Sequence, residues 1–136
     1  MQHIKEMKLV PNSTWHWEFI RKLRNDPDIQ KYLIEQVNIT PEQQFEYMSK
    51  YNDCYYICVA HELPIGYIGI KDNEIGLVVL PAIRRHGAGK FMLTKMRKLH
   101  PKCYARIKPD NIASIKLFES CGFIFKRVEK GVLIYE

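Results

Sequence analysis

No apolar run in this 136-residue sequence can cross a bilayer, because the longest nearly apolar stretch reaches only from Ile75 to Ile83 and a spanning helix needs about 20 such residues. The first residues, Met1 to Lys8, lack the apolar stretch of a secretory leader. Of the four cysteines (Cys54, Cys58, Cys103 and Cys121), no two form a Cys-x-x-Cys pair, and no histidine has a second histidine at ligand spacing. No metal site is therefore expected, and the thiols are expected reduced and packed, with Cys54 and Cys58 on one face of a strand. Internal repeats, low-complexity tracts and linkers are also missing. What remains is 46% hydrophobic and 12% aromatic, enough for a core without staples. The sequence predicts a single domain over residues 1–136, cytoplasmic and with no membrane partner.

Charge is not balanced. A formal net charge of +6 favours an anionic partner, either nucleic acid or a phosphate-rich small ligand. Trp15, Trp17, Tyr51, Tyr55 and Tyr56 are able to stack on bases. Consecutive Tyr55 and Tyr56 face opposite sides of a strand, however, so at least one belongs to the core. No RNA-recognition or zinc-finger signature is present, which disfavours nucleic acid.

Periodicity and punctuation predict the elements. His3–Val10 reads as a strand stopped by Pro11, followed by N-cap candidates Asn12, Ser13 and Thr14. Trp15, Phe19 and Leu23 mark one helical face. Asp26-Pro27-Asp28 breaks that helix and starts a short second one through Leu33. Thr40-Pro41-Glu42-Gln43 carries a capping box with proline in the first helical position, and Phe45, Tyr47 and Met48 follow. Strands are expected at Cys54–His61, Ile65–Lys71 and Glu74–Leu80, turning at Glu62-Leu63-Pro64 and Asp72-Asn73. Such short turns make an antiparallel meander. Then come a helix over Gly87–Leu99, a strand over Lys102–Ile107, a helix over Asp110–Cys121, and closing strands at Phe123–Lys126 and Val132–Tyr135. The fold class is α/β with a mixed, mostly antiparallel sheet of six or seven strands flanked by helices.

The sharpest motif is Val79-Leu80-Pro81-Ala82-Ile83-Arg84-Arg85-His86-Gly87-Ala88-Gly89-Lys90. A strand ends, a basic loop follows, and a helix opens on glycines. The unpaired N–H groups and positive dipole of such a helix start suit a diphosphate. Gly87 and Gly89 would admit phosphate oxygens, and Arg84, Arg85 and Lys90 add charge. The loop is neither a Walker motif, lacking Gly-Lys-Ser/Thr, nor a dinucleotide fingerprint, since Met92 replaces its third glycine. A second motif follows: Asn111-Ile-Ala-Ser114-Ile-Lys-Leu-Phe118-Glu-Ser-Cys121-Gly-Phe123.

These linked segments, Val-x-Pro-x-x-Arg-x-x-Gly-x-Gly and Asn-x-x-Ser-x-x-Leu-Phe-Glu-x-x-Gly-Phe, resemble the GNAT superfamily of N-acetyltransferases. The resemblance implies acetyl-CoA as co-substrate and a sheet splayed at the coenzyme site. It also implies that Leu77, Val78 and Val79 pair with the pantetheine arm, that the loop Arg84, Arg85, His86, Gly87, Ala88, Gly89 and Lys90 holds the diphosphate, and that Asn111 touches the arm. Leu23-Arg24-Asn25-Asp26 with Ile39-Thr40-Pro41-Glu42-Gln43 is similar to the subgroup of ribosomal-protein and nucleotide-linked amino-sugar acetyltransferases, and implies one wall of an acceptor site. The acceptor would be a small-molecule or peptide amine, with a homodimer left open.

The usual acid and base are only partly present. Many relatives carry a tyrosine as proton donor where this chain has Phe118, and some peptide-acetylating relatives carry a glutamate where it has Arg106. Glu74 is the candidate base, acting through water, and the Val79 N–H is the candidate oxyanion donor. Ser114 is the candidate acid, with Cys121 and Tyr104 as alternatives. Cys121 has no histidine nearby to activate it as a nucleophile. Two other classes stay open: a non-catalytic acyl-CoA-binding module, and a basic nucleic-acid-binding domain.

Overall fold

The computed structural model describes residues 6–136. Strands β1 (Lys8–Pro11), β2 (Tyr55–Ala60), β3 (Leu63–Lys71) and β4 (Glu74–Val79) form an antiparallel sheet in the order β1-β2-β3-β4. Strands β5 (Ala105–Ile107), β6 (Phe125–Glu129) and β7 (Val132–Tyr135) form a second sheet in the order β5-β7-β6. A single parallel bridge, Glu74 to Tyr104, links the two among the described residues. The mixed character expected from sequence therefore rests on one short contact, beyond which the sheets part.

Side-chain alternation divides the core in two. Against one face of the first sheet lie α1 (Trp17–Asn25), α2 (Pro27–Gln30) and α3 (Pro41–Tyr51). Their Ile20, Leu23, Ile29 and Met48 bury Ile57, Tyr67 and Val78. Against the other face lie α4 (Ala88–Leu99) and α5 (Ile112–Ser120), whose Met92, Leu93, Met96 and Phe118 pack on Cys58, Ile68, Ile70 and Ile75. Each fully buried side chain of this size contributes about 1.5–3 kcal/mol. The capping box at Thr40 and Gln43 forms in both directions. The C-terminus of α5 closes through Gly122 (φ 88°), with Gly122 N–H bonding Glu119 and Phe123 N–H bonding Phe118, both at 3.0 Å. That is a Schellman closure, and its apolar contact is Phe118 edge-on to Phe123 at 5.0 Å.

Several sequence expectations are corrected. Residues 3–5 of the expected first strand lie outside the described residues, and Pro11 ends β1 instead of stopping the chain short of it. On this outer strand a missing N–H costs no ladder bond. Trp15 sits in a 3-10 turn (Thr14–His16), 89% exposed, so the buried stripe of α1 is carried by Ile20 and Leu23. Cys54 falls in another 3-10 turn (Asn52–Cys54), so it shares no strand face with buried Cys58. The first hairpin turns at His61-Glu62 (φ 52° and 66°), placing Pro64 inside β3. Non-glycine residues rarely take positive φ, so nothing in the sequence marked this turn. Asp72-Asn73 turns as expected, with φ 53° and 69°.

Candidate functional site

Strands β4 and β5 touch and then diverge. Ile75 N–H donates to Tyr104 O and Tyr104 N–H donates to Asn73 O, each at 2.8 Å, and no further backbone bond joins these strands among the described residues. Backbone groups of one residue point to the same side of a strand, and the side alternates. Ile75 points toward β5, while Leu80, five residues on, donates to Ile65 O on the β3 side at 2.9 Å. Leu77 and Val79 thus present their N–H and C=O groups to the opening, whereas Val78 bonds toward β3 in register with Tyr67. The backbone of Val78 is therefore committed to the sheet and cannot pair with an extended ligand.

The open edge leads to a helix start built for anions. After the 3-10 turn Pro81–Ile83, Arg85 (φ 68°) and Gly87 (φ 92°) turn the chain left-handed. Gly87 is the N-cap of α4 and offers no capping side chain. The first helical bond is donated by Phe91 to Gly87 O at 3.0 Å, so the N–H groups of Ala88, Gly89 and Lys90 have no helical acceptor. Arg84, Arg85 and Lys90 are exposed around them. Gly89 is placed otherwise than its motif position implies: a Cβ there would stand 3.0 Å from Leu117 Cδ2. The missing side chain lets α4 pack on α5, and the backbone N–H is the part of Gly89 left for an anion.

Between the diverging strands lies a cleft of about 570 Å³. Its β4 side runs over Glu74, Gly76 and Leu77, and its far side over Tyr104, Arg106, Asn111, Ser114 and Phe118. Gly76 is exposed, and a Cβ placed on it would meet nothing within 4 Å. The cleft floor is therefore bare backbone. At the vertex, Arg106 Nε donates to Glu74 Oε2 at 2.9 Å, and the exposed Glu35 lies 4.0 Å from Arg106. Burial and the neighbouring Glu74 carboxylate raise the Tyr104 phenol. The outer wall comes from Arg24, Tyr32, Leu33, Tyr47, Tyr55 and Tyr67. Tyr47 and Tyr55 share a hydroxyl–hydroxyl bond of 2.8 Å. The Tyr55 ring lies flat over Gly69, where a Cβ would stand 2.5 Å from Tyr55 Cε1.

Residues 17–123 match the model of the acetyltransferase (GNAT) family. The chain belongs to this family. No curated protein matches the sequence. Among solved structures, a domain from Methanocaldococcus jannaschii superposes with a TM-score of 0.83 at 21% identity, covering 96% of each chain. Spermidine N-acetyltransferase from Vibrio cholerae, in complex with CoA and spermine, superposes with a TM-score of 0.82 at 14% identity, covering 96% of this chain and 92% of the other. The aminoglycoside acetyltransferase AAC(6')-Ib with coenzyme A gives 0.75 at 16% identity, over 96% and 92%. At such identities the likeness is one of fold.

Within this GNAT fold the sequence-derived residues divide into groups. Leu77, Val79, the loop Arg84–Gly87 and the α4 start lie along one edge. Asn111 accepts from Ser114 N–H at 3.2 Å, so its side-chain oxygen caps α5, which leaves the amide nitrogen for other contacts. Ser114 lines the cleft, while Phe118 is buried in the core and reaches the cleft wall. Cys121 lies by Thr94 and Ser120 and is not part of the cleft lining. Glu74 and Val79 cannot both act directly on one carbon: they stand five residues apart on β4, about 16 Å at strand rise. Tyr67 and Gly76 belong to the cleft but were not singled out from sequence, whereas Arg24 stands in the segment expected to wall an acceptor site and Tyr55 was read only as a stacking or core residue. The apolar and aromatic pattern of β2 and β3 reads simply as core.

Proposed function

We propose that this protein transfers an acetyl group from acetyl-CoA to a primary amine by direct attack. The observation that carries this is the continuity of two backbone features: the outward amides of Leu77 and Val79 run into the uncapped start of α4 beneath Arg84 and Arg85. An extended arm with amides at one end and a diphosphate at the other fits that track, pairing as an added strand and ending on helix N–H groups. With the diphosphate at α4, the arm carries the thioester back along β4 toward the vertex. The Val79 amide then steadies the arm, and the Leu77 N–H is the donor near the carbonyl oxygen.

The amine nitrogen, once deprotonated, attacks the thioester carbon; the C–N bond forms, the C–S bond breaks, and the thiolate takes up a proton. Negative charge developing on the carbonyl oxygen is met by the β4 edge N–H, a preorganised donor. Glu74 is the one carboxylate on β4. Its Oε2 accepts from Arg106 and the Tyr104 phenol lies beside the carboxylate, which takes the amine proton through a water. Ser114 and Tyr104 are the hydroxyls on the cleft wall that can return a proton to sulfur. The acceptor enters over Gly76, where the floor is bare.

A second reading, a coenzyme-binding module without turnover, is favoured by Phe118, an apolar ring where many relatives carry a tyrosine donor. Calorimetry with acetyl-CoA followed by thiol release over an amine panel separates the two. Binding with turnover supports the transferase; binding without turnover of any amine supports the module; no binding at physiological salt removes both. Glu74→Gln is expected to lower the rate at neutral pH by about 10²-fold, the lower end for loss of a general base, with coenzyme affinity kept. An unaltered pH–rate profile in that variant would clear Glu74.

A further inference from the structure

The outer wall of the cleft holds two polar groups that the fold itself does not use. Arg24, at the end of α1, is half-buried and lines the cleft. Its backbone carbonyl accepts from Gln30 Nε2, but its guanidinium has neither a hydrogen bond nor an ion pair among the described residues. Its charge nonetheless reaches the phenols of Tyr55 and Tyr67. Tyr67 is only 4% exposed, and its hydroxyl has no hydrogen-bond partner among the described residues. It also does not belong to the fully enclosed unsatisfied atoms, so the hydroxyl opens to the cleft. Nearly buried polar groups normally have a partner within the fold, so a hydroxyl that opens only to the cleft is available to whatever fills it. A guanidinium presents a planar fork of donors matched to carboxylate or phosphate.

Most of the cleft's other charged groups have a partner; Asp72, exposed next to Lys71, is a further acid on its rim. Glu74 is held by Arg106 at 2.9 Å, and Glu35 lies 4.0 Å from the same guanidinium. Lys71 leans over the Tyr51 ring at 4.0 Å and the Tyr47 ring at 5.5 Å. Glu74 and Glu35 therefore sit with Arg106 at the vertex, and Arg24 is the charged side chain of the outer wall. Tyr67 stands opposite Val78 across the β3–β4 pair, which puts this wall within one strand of the open edge.

We propose that Arg24 and the Tyr67 hydroxyl bind an anionic group, a carboxylate or a phosphate, on the amine that this protein acetylates. The inference rests on the transferase reading and narrows it: the acceptor is an amine that also carries negative charge, not a polycation such as the spermine bound by the Vibrio cholerae protein. The anion is anchored on the outer wall while the amino group lies over Gly76.

The test uses matched acceptors with acetyl-CoA saturating, so that the α4 loop is filled. Glucosamine 6-phosphate is compared with glucosamine, and a free amino acid with its amide. The wild-type protein is expected to favour the charged member of at least one pair in kcat/KM, and Arg24→Ala to shrink that preference about tenfold or more, mainly through KM. Arg24→Lys should restore only part, since an ammonium lacks the fork. Which pair responds tells phosphate from carboxylate. A preference for the uncharged members or for spermidine, or a preference untouched in Arg24→Ala, overturns the proposal while leaving acetylation itself intact. Coenzyme binding by calorimetry shows that the variant is folded, and its failure in the wild type would instead sink the transferase reading. A readout free of turnover is the ¹⁵Nε resonance of Arg24, assigned by its loss in Arg24→Ala. It should shift with glucosamine 6-phosphate or with the free amino acid, and no shift from either also overturns the proposal.

Discussion

The two walls of the cleft are made of different material. The β4–α4 wall is backbone: outward N–H groups at Leu77 and Val79, then three helix-start N–H groups after Gly87. The outer wall is side chain: Arg24, Tyr47, Tyr55 and Tyr67 from four separate elements, with Glu74 and Arg106 at the vertex. A backbone wall binds what every member of a family shares, because its donors survive almost any side-chain change. A side-chain wall changes with single substitutions, and so it is where one member departs from another.

The strongest way to break the comparison is to fill the space between the walls. Gly76 lies in regular strand backbone with open space where a Cβ would go, so Gly76→Val strains nothing and adds a residue with better strand propensity, worth up to about 1 kcal/mol. Acetyl transfer is expected to fall about 100-fold or more, while the melting temperature holds or rises by a few degrees. Steady-state kinetics beside a thermal melt decide the matter. A stable Gly76→Val protein with near-normal turnover would move the reacting atoms off this floor.

A smaller effect tests whether the walls act separately. Arg84→Ala with Arg85→Gly removes two exposed charges, and glycine keeps the left-handed backbone of residue 85. Exposed ion pairs contribute up to about 1 kcal/mol each, so coenzyme affinity should weaken about tenfold and lose part of its salt dependence. The turnover number with both substrates saturating should change little. A matching fall in turnover would show that the basic loop also shapes the acceptor side.

The same difference governs what could be read from sequence. The backbone wall was legible because glycine, proline and basic residues stand at fixed short spacings from Val79 to Lys90, and a backbone trap is written in such local punctuation. Even there the burden of Gly89 was hidden, since its contact with Leu117 lies on a helix more than twenty residues away. The alternation that turns Val78 away from the opening also needed one hydrogen bond, Ile75 to Tyr104, to fix its phase. The side-chain wall was legible only in part: the resemblance pointed to the segment that holds Arg24, but nothing pointed to its partners. Arg24, Tyr55 and Tyr67 are an ordinary helix arginine and two strand tyrosines until tertiary packing faces them into one cleft. The Glu74–Arg106 pair likewise joins residues 32 apart, and sequence alone showed Arg106 only as a missing glutamate.

The finest test concerns protons on the side-chain wall. Burial pushes the Tyr67 phenol from its ordinary 10.0 up to about 12, with Arg24 opposing the shift, and burial pushes Tyr55 up as well. Between pH 10 and 12 the unfolded Tyr67 has lost its proton and the folded one has kept it. The unfolded state then binds fewer protons, so stability falls as pH rises, by at most about 1.4 kcal/mol per pH unit for each such phenol. Below pH 10 both states hold the proton and the contribution is flat. Tyr67→Phe should therefore unfold with a shallower alkaline slope in urea titrations at pH 10 to 11. At pH 7 its stability should stay within about 0.5 kcal/mol of wild type, because the lost hydroxyl had no hydrogen bond to give up. The Arg84→Ala/Arg85→Gly protein, altered only on the backbone wall, should keep the wild-type slope. If instead Tyr67→Phe keeps that slope, the phenol loses its proton in the folded protein as readily as in the unfolded one, and the wall beside Arg24 is more open to water than the 4% exposure of Tyr67 implies.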